Sequence, residues 1–467
     1  MTGGSLTTLY SNENTIFCLN PQITYFKSVF RKYTKFVMTD YRHTSVENGN
    51  NFGSGKDITF NFSATGDLLS KVSLQIELNG ANLPATCNRF PHNIGTALFD
   101  NIQFKYDNST APIIEQLNSE YINFTSMLNN PKSFNSTYDI VNDPGNPSAG
   151  IPSVTELVCN NGNNYQRMAL SGGVFNSGLD PDEIHTITKM KAIVPIPFSF
   201  TKNVGSAFPL FLLTKNGLSL QIHQSNDIDT GIFQSSIGTP TAKEDLTTIL
   251  KQFHFSLIFK YIYLSEEEKN RFKSSSQEYL VEKVLFNSDQ LRLVGSSVDF
   301  QAVAPNLPVK SIYLVNKSAS GTEELYSDVK RRIPLHNNYK YKFLIRGVNM
   351  QLDDLPHEYY SKLNIIENFK GCVYDKWDYK LTNLKESSRD QTNPIRPTPS
   401  INSNIAYIPF NLKNTEGPSG CINTGTNDLQ MSVTGTGAWE TIIYIYLVYY
   451  SIMKVSDNQH LSFPYKI

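Results

Sequence analysis

Apolar and polar residues alternate with a period of two along much of this 467-residue chain, and that alternation constrains its fold more than any other feature. Ser70–Leu78 (SKVSLQIEL) is the clearest case, because Val72, Leu74, Ile76 and Leu78 fall on one side and polar residues on the other. Successive side chains of a β-strand point to opposite faces of its sheet, so this pattern predicts a half-buried strand. Comparable strand patterns occupy seven further segments: Asp57–Ser63, Leu98–Tyr106, Leu218–His223, Phe253–Tyr263, Tyr279–Phe286, Val309–Val315 and Glu440–Tyr450.

Segments rich in Asn, Gly, Ser and Pro separate the predicted strands, most clearly at Asn142–Ser153 and Asn383–Asn404. Many short strands joined by polar loops predict an all-β protein of the sandwich or barrel class. A polar join at Asp227–Asp245 separates two β-rich blocks of about 200 residues, each long enough for its own core. We therefore expect an N-terminal arm with a short helix, a first sandwich and a second sandwich, at residues 1–36, 37–235 and 236–467.

Helical signals are few and local. Asn20 followed by Pro21 is an N-cap with proline at the first helical position, and apolar residues recur behind it at spacings of three and four. Ser265 followed by three glutamates predicts a second helix ending near Phe272, because acidic residues in the first turn suit the helix dipole. Pro112–Leu128 is a candidate for a third helix, with its apolar residues on one side.

Composition excludes several classes of protein. The chain carries 41 Lys and Arg against 42 Asp and Glu, so it lacks the basic excess of a nucleic-acid-wrapping protein, and we expect no direct nucleic-acid binding. The most apolar run, Thr441–Met453, is shorter than the ~20 residues of a membrane-spanning helix. The five cysteines form no Cys-x-x-Cys pair, so we expect reduced thiols rather than a zinc site or a disulfide framework.

The sequence shows no catalytic constellation, and we expect no enzyme activity, no cofactor and no metal site. The glycine-rich stretch that begins at Gly49 has Asn50 in place of a required glycine, and Asp57 where a phosphate loop has Ser or Thr. His357 lacks the second histidine that a helical zinc protease needs four residues later. A cupin-like metal site is equally unsupported, since no His-x-His pair is present.

Basic residues cluster on one side of the predicted N-terminal helix, opposite Phe26, Phe30 and Tyr33. They are Lys27, Arg31, Lys32 and Lys35. Such an amphipathic helix either packs on its own domain or contacts an acidic partner or an anionic lipid surface. The residues alone leave both alternatives open.

Residues Asn20–Phe36 (NPQITYFKSVFRKYTKF) closely resemble the N-terminal signature of the major capsid proteins of nucleocytoplasmic large DNA viruses, in which Asn-Pro-Gln-Ile-Thr-x-Phe-Lys precedes a basic-aromatic segment. The first four residues, MTGG, are similar to the start of that family. Three later segments resemble the family in the same order: Val194–Gln221, Tyr261–Phe286 and Phe410–Asp428. Three others depart from its pattern: Ser5–Leu19, Asn287–Val309 and Tyr374–Asn404.

The resemblance implies a double jelly roll, with two eight-stranded sandwiches in one chain. It further implies that three chains form a pseudo-hexagonal trimer, that trimers tile an icosahedral shell, and that the protein is located in the virion after assembly in the host cytoplasm. The expected partners are copies of the chain itself, minor capsid proteins, the inner viral membrane and host glycans at the outer loops. The residues of the family motif, and the expected assembly contact, are Asn20, Pro21, Gln22, Phe26, Lys27, Phe30, Arg31 and Lys32.

Two alternatives to a major capsid protein stay open. One is a minor capsid paralogue of the same fold, and the other is a jelly-roll protein that binds glycans. The net charge of −1 suits a shell, because strongly like-charged subunits would repel one another at every contact.

Overall fold

The fold is that of a computed structural model, which describes about half of the chain. The described residues are 26, 32–44, 55–62, 65–79, 96, 98–106, 113–129, 189–213, 217–225, 234–236, 239–240, 253–274, 277–293, 297–302, 306–318, 340–345, 348–349, 355–356, 359–369, 405–412, 418–424, 429–434, 441–455 and 461–462.

A first sandwich is built from strands between residues 36 and 264. The strands are β1 (Phe36–Thr44), β2 (Asp57–Phe62), β3 (Leu68–Asn79), β4 (Phe99–Tyr106), β5 (Ile113–Asn118), β6 (Lys189–Pro195), β7 (Phe208–Pro209), β8 (Leu218–Gln224) and, after a separate two-stranded sheet of β9 (Gln234–Ser236) and β10 (Thr239–Pro240), β11 (Phe253–Leu264). One sheet has the order β1-β11-β3-β6, with β7 beside β3, and the other has the order β2-β8-β4-β5. All of these pairings are antiparallel.

A second sandwich follows with its own two sheets. Its strands are β12 (Gln277–Leu293), β13 (Ser297–Ala302), β14 (Pro308–Ser318), β15 (Lys340–Ile345), β16 (Val348–Asn349), β17 (Leu355–Pro356), β18 (Ile405–Pro409), β19 (Ile422–Asn423), β20 (Leu429–Thr434), β21 (Thr441–Val455) and β22 (Leu461–Ser462). The main strands pair in the orders β12-β21-β14-β18 and β13-β20-β15-β16. Numbered within each sandwich, the eight main strands follow 1-8-3-6 and 2-7-4-5 in both halves. This duplicated arrangement is the double jelly roll that the sequence led us to expect.

The alternation found in the sequence sorts each strand into a buried and an outward face. In β2, Ile58, Phe60 and Phe62 are buried and the intervening residues are exposed. Val72, Leu74 and Ile76 of β3 are likewise buried in the core of the first sandwich. A second cluster of buried residues fills the second sandwich, around Leu314 and Leu447.

The helices match the sequence in part. They are α1 (Ser119–Asn129), α2 (Glu266–Lys273) and α3 (Asn364–Asn368), with 3₁₀ turns at Ser199–Thr201, Val204–Ser206 and Leu210–Leu212 and a π-helical turn at Tyr359–Leu363. The helix expected after Ser265 is confirmed as α2, although the Ser265 side chain makes no capping hydrogen bond. Among the described residues, no helix is long and apolar enough to cross a membrane.

Two expectations need correction. Pro112–Leu128 is not one helix, because its first half is strand β5, which pairs with β4, and only its second half is helical. Strand β11 was expected in the second sandwich, but it pairs with β1 and β3 of the first. A boundary at residue 236 is therefore wrong for β11, because this strand follows the boundary but pairs with strands of the first sandwich, more than 170 positions earlier in the chain.

Candidate functional site: the junction between the two sandwiches

The two sandwiches meet at one face of the sheet β12-β21-β14-β18. Along β14 and β21, Ile312, Leu314 and Ile445 point into the core of the second sandwich. Tyr313 and Tyr446 alternate with them and point the other way, where they join the core of the first sandwich. Since neighbouring side chains of a strand face opposite ways, this central sheet serves both sandwiches at once.

Helix α1 packs its aromatic side chains on the face of that sheet that points away from the core of the second sandwich. The ring of Phe124 lies 5.1 Å from that of Tyr313 and 5.4 Å from that of Tyr446, measured between centroids. Tyr121 lies 6.1 Å from Tyr446. All four side chains are buried, and these distances are those of favourable edge-to-face and offset ring pairs. The Tyr446 hydroxyl also donates a hydrogen bond of 3.2 Å to the Glu120 carboxylate of α1.

A row of three charged side chains ties the sandwiches together beside the aromatic contact. Lys202 follows the first 3₁₀ turn of the first sandwich, whereas Glu282 lies on β12 and Lys310 on β14 of the second. The Glu282 carboxylate binds Lys202 Nζ at 2.7 Å and Lys310 Nζ at 2.5 Å. Burial opposes ionisation of Glu282, but the two ammonium groups outweigh it and lower its pKa to about 2. Glu282 is therefore ionised at neutral pH and bridges the two halves.

A buried carboxyl group positions the segment that carries Lys202. Glu115 on β5 accepts hydrogen bonds from the Ser199 backbone N–H, at 2.9 Å to each oxygen, and from the Ser199 hydroxyl at 2.8 Å. Burial raises the pKa of Glu115 to about 7, and the Ser199 hydrogen bonds offset part of that rise. These bonds fix the 3₁₀ turn against β5, three residues before Lys202.

The geometry of these described residues holds one sandwich against the other. Within the described ranges, no group of three or more His, Cys, Asp or Glu side chains is placed to hold a metal ion. The junction instead has a buried aromatic centre with hydrogen-bonded charges beside it. It resembles a domain core more than a contact between separable domains.

The N-terminal motif lies mostly outside the described residues. Phe26 is in a turn and fully exposed, and Lys32 is also exposed. The other motif residues lie outside the described ranges: Asn20, Pro21, Gln22, Lys27, Phe30 and Arg31. Their role as an assembly contact stays a prediction.

The junction residues were missed in the sequence because their partners are distant in the chain. Lys202 and Glu282 are 80 positions apart, and Glu115 and Ser199 are 84 apart. One signal was available. Glu282 and Lys310 stand inside strongly apolar strand patterns, and a buried charge requires a partner.

Comparisons with known proteins agree with this architecture. A family model described as "Major capsid protein N-terminus" matches residues 24–265, and that match ends one residue after β11. Capsid protein 1 of Acanthamoeba polyphaga mimivirus is 26% identical over 331 residues, covering 68% of this chain and 49% of that protein. The major capsid protein of Pyramimonas orientalis virus is 24% identical over 344 residues, covering 72% of each. This chain thus spans about half the length of the first relative.

A solved structure shares the fold over nearly the whole chain. The quasi-atomic model of the PBCV-1 virus capsid matches with a TM-score of 0.60 at 15% identity, covering 95% of this chain and 100% of that one. A likeness at this low identity supports the fold, which is the same double arrangement of sandwiches.

Proposed function

Because this chain belongs to the major capsid protein family of large DNA viruses, we propose that it is a structural protein of a viral capsid shell. The observation that carries the proposal is the junction, where two jelly rolls share one buried aromatic centre. A subunit of a shell must keep its shape under the forces exerted by neighbouring subunits. A close-packed interior such as this aromatic centre resists deformation.

We further propose that three chains form the pseudo-hexagonal trimer. Each chain contributes two sandwiches with the same strand order, so three chains supply six similar units around one axis. Head-to-tail contacts give a closed ring when the rotation from each unit to the next completes one full turn after a whole number of units. The trimers would then tile the shell of a virion that assembles in the host cytoplasm.

The molar mass in solution tests this proposal. Light scattering during size exclusion should give about 158 kDa, three times the 52.6 kDa of one chain, across a range of protein concentrations. A species that stays at 52.6 kDa at every concentration would contradict self-assembly of the chain alone.

The N-terminal motif is proposed to attach the capsomer to the inside of the particle. Its basic residues would contact minor capsid proteins or the inner viral membrane, whose acidic groups suit Lys27, Arg31 and Lys32. We expect the triple variant K27E/R31E/K32E to form trimers of normal mass but to yield few complete particles, as counted by electron microscopy. Normal particle yield would refute an attachment role for these three residues.

The outer loops of the sandwiches are proposed to face the host, where they would meet glycans. Loops at sandwich ends commonly carry binding residues on a rigid scaffold.

A further inference from the structure

The outward face of the sheet β2-β8-β4-β5 is polar across its whole width. Its strands turn their apolar residues into the core of the first sandwich, so the alternate residues point away from that core. Strand pairing aligns these outward residues in three rows that cross all four strands. The rows are Asp57, His223, Asn101 and Asn118; Thr59, Gln221, Gln103 and Gln116; and Asn61, Ser219, Lys105 and Ile113. Eleven of these twelve side chains are polar, so a partner would meet hydrogen-bonding groups rather than an apolar surface. We name these twelve residues the amide face.

Side chains on the amide face hold one another in place. The Nδ1 atom of His223 lies 2.7 Å from one carboxylate oxygen of Asp57. Gln221 donates a hydrogen bond of 2.5 Å to the other oxygen, and Lys105 donates one to the Gln221 amide oxygen. Side chains that are already ordered lose less conformational entropy when a partner binds. The amide face is therefore preorganised for a contact.

The matching sheet of the second sandwich carries positive charge on its outward face. Lys340 and Lys342 of β15 alternate with Tyr341 and Phe343, which are buried in the core of the second sandwich. Strand β15 pairs with β20, and none of the outward residues that the structure describes on these two strands is acidic. They are Lys340, Lys342, Leu344, Gln430, Ser432 and Thr434, and we name them the lysine face.

The size of the amide face indicates the kind of contact it can make. With strands about 4.8 Å apart and a rise of about 3.3 Å per residue, it measures about 15 Å by 20 Å, or about 300 Å². That area is well below the ~800 Å² that each partner buries in a standard stable interface. A flat sheet face also lacks the concave shape of a small-molecule site. A contact of this size is weak by itself, and it suits an assembly in which the same contact is repeated many times.

We propose that the amide face of one trimer packs against the lysine face of the next trimer in the shell. The inference rests on the proposed trimer and shell, and it names the surfaces through which trimers meet. First and second sandwiches alternate around a pseudo-hexagonal trimer, so opposite sides of the trimer belong to different sandwiches. Trimers that tile in one orientation therefore meet first sandwich to second. This pairing brings Asp57 towards Lys340 and Lys342, where opposite charges favour the contact.

Photo-crosslinking between preformed trimers tests the pairing. Unlabelled trimers that carry benzoylphenylalanine in place of the exposed Thr59 are mixed with ¹⁵N-labelled wild-type trimers, crowded with polyethylene glycol and irradiated. A mixed-isotope crosslink then joins two trimers. We expect such crosslinks to peptides that contain residues 340–345 or 429–434. The same probe in place of Arg271, which is exposed on α2 outside both faces, should give no crosslink to those peptides.

Each other outcome of this experiment contradicts a specific part of the proposal. Crosslinks to residues 57–62 or 218–224 of a second trimer would show contact between like faces and would overturn the pairing. Crosslinks to other peptides only, or no crosslink between trimers under crowding, would overturn it as well. A wild-type protein that never exceeds the mass of one chain would instead refute the trimer on which the inference rests.

Charge reversal gives an independent test with its own rescue. Asp57→Lys should weaken association between trimers about fivefold, measured by light scattering as mass above that of the trimer, because it brings like charges together. Adding Lys340→Glu and Lys342→Glu to the same chain should restore association. Glu267→Lys makes the same change of charge at an exposed position of α2 and should have no such effect.

Equal circular dichroism spectra and an unchanged trimer mass would show that these variants fold. Unchanged association between D57K trimers, or no recovery in the D57K/K340E/K342E protein, would refute the contact between the amide face and the lysine face while leaving the trimer intact.

Discussion

Glu282 shows how much the junction depends on single charged residues. Its carboxylate neutralises Lys310, whose side chain is only 2% exposed, and also reaches Lys202 of the other sandwich. A buried ion pair often adds little net stability, but removal of one partner leaves an uncompensated buried charge. We therefore expect the triad to act mainly by specifying how the sandwiches are oriented.

Glu282→Gln should destabilise the protein strongly. The variant leaves buried Lys310 without its carboxylate, at an expected cost of about 2–4 kcal/mol in the free energy of unfolding. Urea denaturation measures that cost. The matched control is Glu278→Gln on the same strand, where Glu278 pairs with Lys454 at 2.6 Å in an exposed position. The control should lose no more than ~1 kcal/mol, and equal losses in both variants would contradict the role of the triad.

Gly66→Ala tests close packing in the bend just before β3. An added methyl carbon at Gly66 would lie 2.6 Å from the Cβ of Tyr261, which is buried on β11. Relief of that overlap requires movement of a packed ring. We therefore expect the free energy of unfolding, measured by thermal denaturation, to fall by about 1–3 kcal/mol. Gly205→Ala is the control, because its nearest neighbour lies at 3.5 Å, and it should change stability by under ~0.5 kcal/mol. Similar melting temperatures for the two variants would refute the packing argument.

At the scale of elements, the sequence predicted strands well wherever one face is buried. β2, β3 and β8 follow the expected alternation, because burial on one side imposes it. β1 was not predicted, since nearly all of its residues are exposed and no alternation marks it. Its strand conformation depends on pairing with β11, whose residues lie far along the chain. The division of Pro112–Leu128 was missed for a related reason, because the apolar spacing fits a helix and only pairing with β4 makes its first half a strand.

Helix α1 should hold the two sandwiches in one cooperative unit. Phe124→Ala removes the ring that contacts both Tyr313 and Tyr446, at an expected cost of about 3–5 kcal/mol. Because the lost contacts join the two halves, we expect calorimetry to resolve two transitions where the wild type shows one. Phe62→Ala removes a buried ring that packs against Phe259 of the first sandwich, and it should lower stability without separating the halves. Retention of one transition in the Phe124 variant would contradict this role of α1.

For the whole molecule, duplication was visible in the sequence but the point of division was not. Two β-rich blocks of similar length predicted two sandwiches, and the matching strand orders bear this out. The polar join at Asp227–Asp245 suggested a boundary too early, because β11 returns to the first sandwich after it. His43 on β1 and Tyr261 on β11 form a hydrogen-bonded contact across 218 positions, and no local pattern reveals a pairing of that range.

The stability of the whole molecule should vary with pH through two carboxyl groups whose pKa values are shifted in opposite directions. The pKa of Glu115 is raised from 4.5 to about 7, so its contribution to stability grows as pH falls from 7 towards 4.5. The pKa of Glu282 is lowered from 4.5 to about 2, so its contribution is present above 4.5 and is lost as pH falls towards 2. We therefore expect these two groups to favour a stability maximum near pH 5.

Melting temperatures measured between pH 2 and 8 check this. Compared with wild type, Glu115→Gln should flatten the change between pH 5 and 8, and Glu282→Gln should flatten the change below pH 4.5. Parallel curves for wild type and both variants would show that neither group controls the pH dependence.

The position of β21 has a consequence for the order in which the chain is made. This strand lies inside the sheet β12-β21-β14-β18 and also carries Tyr446, which packs against Phe124 of α1. During translation, α1 leaves the ribosome more than 300 residues before its packing partner Tyr446. A nascent chain thus lacks the contact between Phe124 and Tyr446 until β21 has emerged, and we expect this part of α1 to be accessible to a chaperone until then. Chains that stop short of β21 lack the contacts of Phe124 and Tyr121 with Tyr446, so they leave part of the aromatic face of α1 uncovered.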